Sequence, residues 1–268
     1  MNTNPQDWPA AQGYRMPPEW AAHAATWLSW PHNRETWPAS FAGVEPAMTD
    51  VVAALAPTEI VYINVLDAAH EAHVRRLLRR ATPEERLRFF RIPTNDAWVR
   101  DHGPVFVVRK GAAPLLALDF EFNAWGGKYP PYDLDQEAAR RMSERIGAPR
   151  FAPGIVLEGG SIDVNGAGAV LTTEQCLLNP NRNPALGRTE IEAVLEAALG
   201  VRQVIWLGEG IAGDDTDGHV DDLARFVSAD AVVTVVEPNS KDPNHAPLAV
   251  NRERLSAVEL GGRPLRVV

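Results

Sequence analysis

Short runs of apolar and β-branched residues recur along the whole chain, and amphipathic segments separate them. Runs of this length, bounded by turn residues, are typical of β-strands. The predicted strands are Ile60–Leu66, Val105–Val108, Leu115–Phe120, Ile162–Val164, Ala169–Thr172, Val204–Leu207 and Ala231–Val236. Because strands and helices are mixed throughout, the pattern predicts an α/β fold.

The predicted helix is clearest over Thr189–Leu199, where apolar residues follow the i, i+3, i+4 spacing and the first residue forms a capping box with Glu192. A second capping box begins at Thr82, with Pro83 at the first helical position, and predicts a short helix. The remaining predicted helices are Glu45–Ala56, Ala69–Arg80 and Leu134–Ile146.

Some strands pair as hairpins rather than as parallel neighbours. Ser161–Thr173 has alternating residues around the dipeptide Asn165-Gly166, which predicts a tight turn. Repeated hairpin-plus-helix units predict small mixed sheets side by side and argue against one doubly wound parallel sheet. Since neither a linker nor a shift in composition interrupts the sequence, we predict a single domain over residues 1–268.

Charge and cysteine content narrow the classes of function. The chain has 26 Lys and Arg against 35 Asp and Glu, a net charge of −9, which argues against a nucleic-acid surface and favours a cationic ligand. Neither a signal peptide nor a run of about 18 apolar residues is found, so the sequence predicts no membrane contact. The single cysteine, Cys176, excludes an intrachain disulfide and favours the reducing cytoplasm.

Three segments place acidic or histidine side chains beside glycine at the entrance of an apolar strand. They are Asn95–Gly103, Glu158–Asp163 and Asp214–Asp222. Similar polar groups at equivalent ends of repeated units predict a site on a pseudo-symmetric axis.

The third segment holds six ionisable groups in nine residues. If His219 begins a strand, its imidazole and the Asp221 carboxylate point to one face, where they can bind one ligand. The alternative is a solvated acidic loop. Asp101 and Glu158 each stand where a loop meets a strand, and Trp98 is either a core residue or part of a site. Carboxylates with an indole suit a guanidinium, whose planar N–H fork they accept and whose face the ring covers.

A metal or dinucleotide site fits the sequence poorly. An EF-hand with Gly218 at its sixth position would need Gly213 as first ligand, and one cysteine excludes a multi-thiolate zinc site. The glycines of Gly166-Ala-Gly168 are followed by a predicted strand rather than a helix, so this segment is predicted to be a turn. We therefore predict no metal.

Several longer motifs, in order along nearly the whole chain, resemble agmatine deiminases and their bacterial peptidylarginine-deiminase-type relatives. These motifs are Met16–Trp20, Trp27–Pro31, Thr94–Asp101, Phe122–Gly127, Leu157–Ser161, Thr172–Leu178 and Gly218–Asp222. The resemblance implies a pseudo-five-fold α/β propeller of ββαβ-type modules. It also implies hydrolysis of agmatine to N-carbamoylputrescine and ammonia in the cytoplasm, without metal or organic cofactor. A homo-oligomer is in keeping with the same resemblance.

The resemblance also implies a role for each candidate residue. Asp101 and Asp221 would bind the guanidinium nitrogens, and His219 would serve as general acid and base. Glu158 would contribute to the substrate site, and Trp98 would form a wall of the pocket. A cysteine thiolate attacks the guanidinium carbon in this family, ammonia leaves, and water hydrolyses the covalent intermediate.

The sequence departs from the family pattern at the nucleophile. The family's cysteine follows a Gly-rich segment near the C-terminus, which is not found before Val268, so we expect a chain that lacks the last module and is inactive alone. Cys176, in a motif flanked by leucines, is expected to be buried and inert. Three alternatives stay open: a non-catalytic agmatine or polyamine-binding protein, a deiminase of free or peptidyl arginine, and an amidinotransferase.

Overall fold

A computed structural model describes residues 4–79, 82–111 and 114–268 of the chain. The strands are β1 Ala25–Ser29, β2 Ile60–Val65, β3 Leu87–Arg91, β4 Val105–Val108, β5 Leu115–Leu118, β6 Arg150–Phe151, β7 Asp163–Val164, β8 Ala169–Thr173, β9 Gln203–Leu207, β10 Ala224–Ser228, β11 Ala231–Thr234, β12 Glu259–Leu260, β13 Arg263–Pro264 and β14 Arg266–Val267. The α-helices are α1 Phe41–Leu55, α2 Ala68–Leu78, α3 Val99–His102, α4 Ala124–Gly127, α5 Asp133–Gln136, α6 Ala138–Ile146, α7 Glu174–Leu177, α8 Arg188–Leu199 and α9 His245–Ser256.

The chain forms two compact units. The smaller unit comprises Ala22–Gly103 and Pro131–Gly147, and the larger unit comprises Met1–Ala21, Pro104–Pro130 and Ala148–Val268. None of the helices in the described ranges combines the length and apolar character needed to cross a membrane.

The smaller unit is built on a parallel sheet of order β1-β2-β3. The first half of β2 alternates half-buried Ile60 and Tyr62 with buried Val61 and Ile63, and the second half, Asn64 and Val65, is buried on both faces. Helix α2 contributes Val74 and Leu78 to the same core. Asp67 caps this helix by accepting a hydrogen bond from the His70 amide at 2.8 Å.

The larger unit repeats one pairing pattern in three sheets. In the orders β4-β5-β6, β7-β8-β9 and β10-β11-β14, the first two strands are antiparallel and the third is parallel to the second. Helices stand between the second and third strands in the chain order of each sheet. This is the ββαβ arrangement that the family resemblance implied, and it agrees with the hairpin-plus-helix units predicted from the sequence. A separate two-stranded pair, β12-β13, completes the sheets among the described residues.

The predicted Ser161–Thr173 hairpin is confirmed. Asp163 pairs with Leu171 across β7 and β8, and the turn between them is closed by the Asn165 side chain. Its Oδ1 accepts the amide hydrogens of Ala167 and Ala169, each at 2.9 Å. The amide hydrogen bonds of the turn are thus satisfied locally, which fixes the register of the strands.

Strand β8 is buried on both faces and leads directly into the candidate site. Val170 lies in one apolar cluster with Leu195 of α8, whereas Leu171 lies in a second cluster with Leu255 of α9. A strand whose alternate residues enter two cores is held against movement from either side. Helix α7, which follows β8 directly, therefore begins at a fixed position.

Helix ends differ from the sequence predictions in detail. Helix α8 begins at Arg188 after Gly187, whose amide donates to Glu190 Oε2 at 3.1 Å. The predicted partner Glu192 instead accepts the Trp206 indole N–H at 2.7 Å, so tertiary contact replaces the predicted capping box. The helix predicted after Thr82 is a single 3₁₀ turn, because strand β3 begins immediately after it. Helix α2 ends at Leu78, and the predicted end at residue 80 lies outside the described residues.

Candidate active site

Glu158 is held in the core of the larger unit by the turn that follows it. The Ser161 amide and hydroxyl both donate to the Glu158 carbonyl oxygen, at 3.0 and 2.6 Å. The Thr172 hydroxyl of β8 donates to the Ser161 carbonyl at 2.9 Å. The Glu158 side chain is 0% exposed. The local fold therefore carries a carboxylate into the interior, where its charge needs compensation.

Thr173, at the end of β8, positions two further segments at once. Its hydroxyl oxygen accepts the Cys176 amide hydrogen at 3.1 Å and so caps helix α7. The same hydroxyl donates to the Gly218 carbonyl oxygen at 2.6 Å. The strand thus fixes Cys176 and the residue immediately before His219 together.

The His219 imidazole stands between two carboxylates. Its Nε2 lies 3.9 Å from Glu158 Oε2, and its Nδ1 lies 3.9 Å from Asp221 Oδ1. His219 is only 2% exposed. The imidazole thus has an acidic group on each side, one near each of its ring nitrogens.

The backbone around His219 is not the predicted strand. Val220–Asp222 forms a 3₁₀ turn, so His219 and Asp221 are not brought together by the alternation of a strand. Gly218 adopts a φ of +86°, and the chain turns sharply before the imidazole. The predicted convergence of imidazole and carboxylate is present, but a tight turn produces it. The alternative of a solvated acidic loop is wrong for His219, which is buried.

Arg182 is the functional residue that the sequence analysis missed. Its Nε donates to Glu158 Oε1 at 2.7 Å, and one terminal nitrogen donates to Asp217 Oδ2 at 2.7 Å. The other terminal nitrogen donates to the Thr216 carbonyl at 2.8 Å. In the sequence, Arg182 stands among Asn and Pro residues just after the Thr172–Leu178 motif, a pattern that is equally typical of an exposed turn. The local sequence therefore gave no reason to single out this arginine.

The two carboxylates bound to Arg182 have opposite pKa shifts. Burial raises the pKa of Glu158, although the Arg182 guanidinium acts in the other direction. Burial also acts to raise the pKa of Asp217, but hydrogen bonds from Lys128, Asn181 and Arg182 outweigh it and lower this pKa to about 2. Asp217 is therefore ionised at neutral pH and balances part of the Arg182 charge.

Cys176 is buried, as the sequence predicted, but its neighbours were not foreseen. It is 0% exposed, and its Sγ lies in a group with a Glu158 carboxylate oxygen and a His219 nitrogen, all within 4.8 Å of one another. Donors of this kind, at these separations, are able to hold a metal ion.

Two predicted site residues belong to the smaller unit. Asp101 is half-buried in helix α3, and its amide donates to the Trp98 carbonyl at 2.9 Å. The Trp98 ring is 44% exposed and lies 5.7 Å from the Trp37 ring, measured between centroids. Trp98 is therefore a surface residue of this unit rather than part of its core.

The segment that carries Asp101 is fixed by a carboxylate from the second part of the unit. Asp135 Oδ1 accepts the Asn95 amide hydrogen at 2.8 Å and lies 3.4 Å from Nδ1 of the buried His102. The Asn95 side chain in turn accepts the Asp135 amide hydrogen at 3.1 Å. These reciprocal contacts hold both ends of the Asn95–Gly103 motif. In the larger unit, the structure brings Glu158, His219 and Asp221 together.

Comparison with known proteins gives a consistent family. The model of the Porphyromonas-type peptidyl-arginine deiminases matches residues 15–268. Agmatine deiminase of Ectopseudomonas mendocina is 43% identical over 242 residues, which cover 88% of this chain. This chain spans 64% of the length of that relative.

Solved structures support the same relationship. Agmatine deiminase of Enterococcus faecalis is similar with a TM-score of 0.89 and 34% identity, over 97% of this chain and 71% of that one. A cysteine-to-serine variant of C. jejuni agmatine deiminase with substrate bound is similar with a TM-score of 0.84 and 31% identity, over 95% of this chain and 73% of that one. These similarities confirm the predicted fold class, an α/β fold of ββαβ modules.

Proposed function

Because the chain belongs to the Porphyromonas-type peptidyl-arginine deiminase family, we propose that it contributes the guanidinium-binding and acid–base groups of an agmatine deiminase. The reaction is the hydrolysis of a C–N bond of a linear amidine. Agmatine and water give N-carbamoylputrescine and ammonia. The observation that carries the proposal is the buried His219 imidazole with Glu158 and Asp221 on its two sides, each 3.9 Å away.

The roles of the residues follow from their chemistry. Asp221 accepts guanidinium N–H groups and keeps the substrate cationic, which makes its central carbon electrophilic. His219 gives a proton to the leaving ammonia and then removes one from the attacking water. Glu158 fixes the imidazole and adds negative charge to the substrate site. Asp101 as a second guanidinium ligand and Trp98 as a pocket wall stay predictions from the family resemblance.

The proposed chemistry passes through a covalent cysteine adduct. A thiolate attacks the guanidinium carbon, the C–N bond to the departing nitrogen breaks with proton transfer from His219, and water then displaces the sulfur. The solved C. jejuni relative with substrate bound is a cysteine-to-serine variant. In this chain the one cysteine is Cys176, and its complete burial argues against attack on a substrate.

That burial favours a second candidate function, in which the chain binds agmatine without turnover. Arginine is the weaker ligand in either case, because its α-carboxylate needs a cationic partner that agmatine does not.

The product carries the putrescine skeleton, so the reaction belongs to polyamine metabolism. A cytoplasmic location is supported by the lack of a possible intrachain disulfide in a chain with one cysteine. A homo-oligomer stays a prediction.

The experiment compares binding and turnover on the same 268-residue chain. Calorimetry with agmatine, arginine and putrescine measures recognition, and mass spectrometry with an ammonia assay measures product. We expect agmatine to bind most tightly, and Asp221→Asn or Asp101→Asn to weaken it roughly 10- to 100-fold by removing a charged hydrogen bond.

The outcomes separate the candidates. Binding with release of ammonia and N-carbamoylputrescine supports the deiminase. Binding without ammonia supports the binding protein. If agmatine binds no better than putrescine, which lacks the guanidinium, both are wrong. The exposed Asp230→Asn variant, whose parent carboxylate accepts a hydrogen bond from Ser228, is the matched control and should leave agmatine affinity unchanged.

A further inference from the structure

Cys176, which the proposed guanidine hydrolysis does not use, lies in a buried triad with Glu158 and His219. We propose that these three side chains form a binding site for a thiolate-preferring divalent metal ion, with Zn²⁺ as the preferred ion. The three residues come from separate segments of the larger unit: the turn before β7, helix α7 and the turn after Gly218.

The geometry is close to that of a three-ligand zinc site. The sulfur, one imidazole nitrogen and one carboxylate oxygen all lie within 4.8 Å of one another, and His219 Nε2 and Glu158 Oε2 are 3.9 Å apart. In a tetrahedral zinc site with bonds of about 2.0–2.3 Å, the donor atoms are roughly 3.3–3.7 Å apart. Contraction of the donor separations by at most about 1.5 Å would produce this geometry.

Glu158 gives the independent sign of a missing ligand. Its Oε1 accepts the Arg182 Nε hydrogen, but its buried Oε2 has no hydrogen-bond partner among the described residues. A buried carboxylate oxygen without a partner is costly, and a metal ion in the triad would satisfy it. Arg182 fixes the carboxylate through one oxygen and leaves the other oriented toward His219.

The surroundings of His219 resemble those of metal-binding imidazoles. Such an imidazole usually has a carboxylate near its second nitrogen, which fixes the ring and makes the first nitrogen a better ligand. Asp221 Oδ1 lies 3.9 Å from His219 Nδ1, on the side away from Glu158. Nε2, which lies 3.9 Å from Glu158 Oε2, is therefore the nitrogen on the side of the triad.

Charge balance favours a doubly charged ion. A Cys176 thiolate, Glu158, Asp217 and Asp221 place four negative charges around the triad. Arg182 and Lys128 supply two positive charges, since Arg182 pairs with Glu158 and Asp217 at 2.7 Å each and Lys128 pairs with Asp217 at 2.6 Å. The two negative charges that remain are those that a Zn²⁺ ion neutralises. A thiolate with an imidazole selects zinc or cobalt over the oxygen-preferring Mg²⁺ and Ca²⁺.

Metal binding would switch off the proposed chemistry. A metal on Nε2 occupies the lone pair that His219 needs as a base, so zinc should inhibit the deiminase or displace agmatine. This consequence rests on the proposed function, whereas the site itself does not. Because all three ligands are buried, we expect slow association.

The test is cobalt titration of the full chain in the absence of agmatine. A Co²⁺–thiolate bond gives an intense charge-transfer absorption, and in a chain with one cysteine it reports Cys176 alone. We expect the band to saturate at one Co²⁺ per chain, to disappear on addition of one equivalent of Zn²⁺ and to persist in millimolar Mg²⁺. Glu158→Gln should weaken Co²⁺ binding at least 10-fold, and Cys176→Ala should abolish the band.

Controls keep the result independent of folding and of agmatine. His73→Asn changes a half-exposed histidine of the smaller unit and should leave the Co²⁺ affinity unchanged. Circular dichroism and urea unfolding show whether Cys176→Ala and Glu158→Gln fold. A folded native chain without the thiolate band overturns the proposal, as does a Glu158→Gln variant with native Co²⁺ affinity. Because agmatine is absent, failure of the proposed function leaves this readout unaffected.

Discussion

Arg182 links the charges around the candidate site. One guanidinium binds the carboxylates of Glu158 and Asp217 and the carbonyl of Thr216, using donors that point in different directions. The planar fork of arginine suits this task, since a lysine ammonium is a single charged point. The cation also offsets part of the cost of burying Glu158. The position of the Glu158 carboxylate beside His219 therefore depends on Arg182.

Loss of this cation should strongly destabilise the chain. Arg182→Met keeps much of the side-chain volume but leaves the buried Glu158 without its partner, so we expect a loss of about 3–5 kcal/mol of unfolding free energy. Urea denaturation measures the change. Arg202→Met, at an exposed arginine whose guanidinium donates to the Ala167 carbonyl, should cost less than about 1 kcal/mol. Equal losses for the two variants would contradict the central role of Arg182.

At the scale of elements, strand β8 and helix α7 support the segment that ends at His219. Thr173 binds the Gly218 carbonyl, and Gln175 Oε1 accepts the Gly210 amide hydrogen at 2.6 Å. Asp214 Oδ2 accepts the Gly218 amide hydrogen at 2.6 Å. Each contact is a hydrogen bond of one side chain to backbone. The segment is positioned by a few polar contacts, so single substitutions should move it.

A methyl group at Gly218 should be far more harmful than one at Gly213. Gly218 and Gly213 have positive φ, +86° and +88°. Alanine at either position should lower the unfolding free energy by about 1 kcal/mol through strain of the left-handed backbone. At Gly218 the added carbon would lie 2.9 Å from Gln175 Oε1, whereas at Gly213 it meets no described atom within 4 Å.

The displaced Gln175 would release the Gly210 amide, so Gly218→Ala should cost roughly 2–4 kcal/mol in total. Urea unfolding of the two variants measures the difference in their unfolding free energies, in which the backbone strain common to both positions cancels. Amide exchange of Gly210 should accelerate only in Gly218→Ala. Indistinguishable stabilities would show that Gln175 does not hold this segment.

The Thr173 hydroxyl should matter more than its small size suggests. Thr173→Val keeps the shape of the side chain but removes the acceptor for the Cys176 amide and the donor to Gly218, so we expect a loss of about 1–3 kcal/mol. Thr58→Val is the control: its hydroxyl donates to the Leu55 carbonyl at an exposed position and should cost about 0.5 kcal/mol or less. If Thr173→Val is as stable as Thr58→Val, the Thr173 hydroxyl does not link helix α7 to the segment that ends at His219.

For the whole molecule, local patterns predicted the repeated units but not the contacts between distant residues. The hairpin at Asn165-Gly166 and the strand Val105–Val108 follow from alternation and turn chemistry, which act over a few residues. Arg182 and Glu158 are 24 residues apart, and nothing in either neighbourhood encodes their pairing. Glu158, His219 and Asp221 were predicted as site residues, but the turn that brings two of them together depends on Gly218 and its tertiary contacts.

The acid stability of the whole chain should depend measurably on Asp217. Its pKa is about 2 in the folded chain against an ordinary value of 3.8, so the ionised form stabilises the fold. A lowered pKa contributes stability that is present above pH 3.8 and is lost as the pH falls toward 2. The difference is worth about 2 kcal/mol, of which about half should be lost by pH 3. Glu158, with a raised pKa, changes stability in the opposite sense, since its contribution falls as the pH rises.

Comparison of wild type with Asp217→Asn isolates the Asp217 contribution, because the other carboxylates are common to both chains. The gap in unfolding free energy between them, measured in urea, should be largest near pH 5 and smaller by about 1 kcal/mol at pH 3. Lys128→Met removes one of the hydrogen bonds that lower this pKa and should reduce the change with pH, because Asp217 would then titrate closer to its ordinary value. A gap that stays constant from pH 5 to pH 3 would mean that Asp217 does not titrate below its ordinary range. The hydrogen bonds from Lys128, Asn181 and Arg182 would then not stabilise the ionised carboxylate of Asp217 in the folded chain.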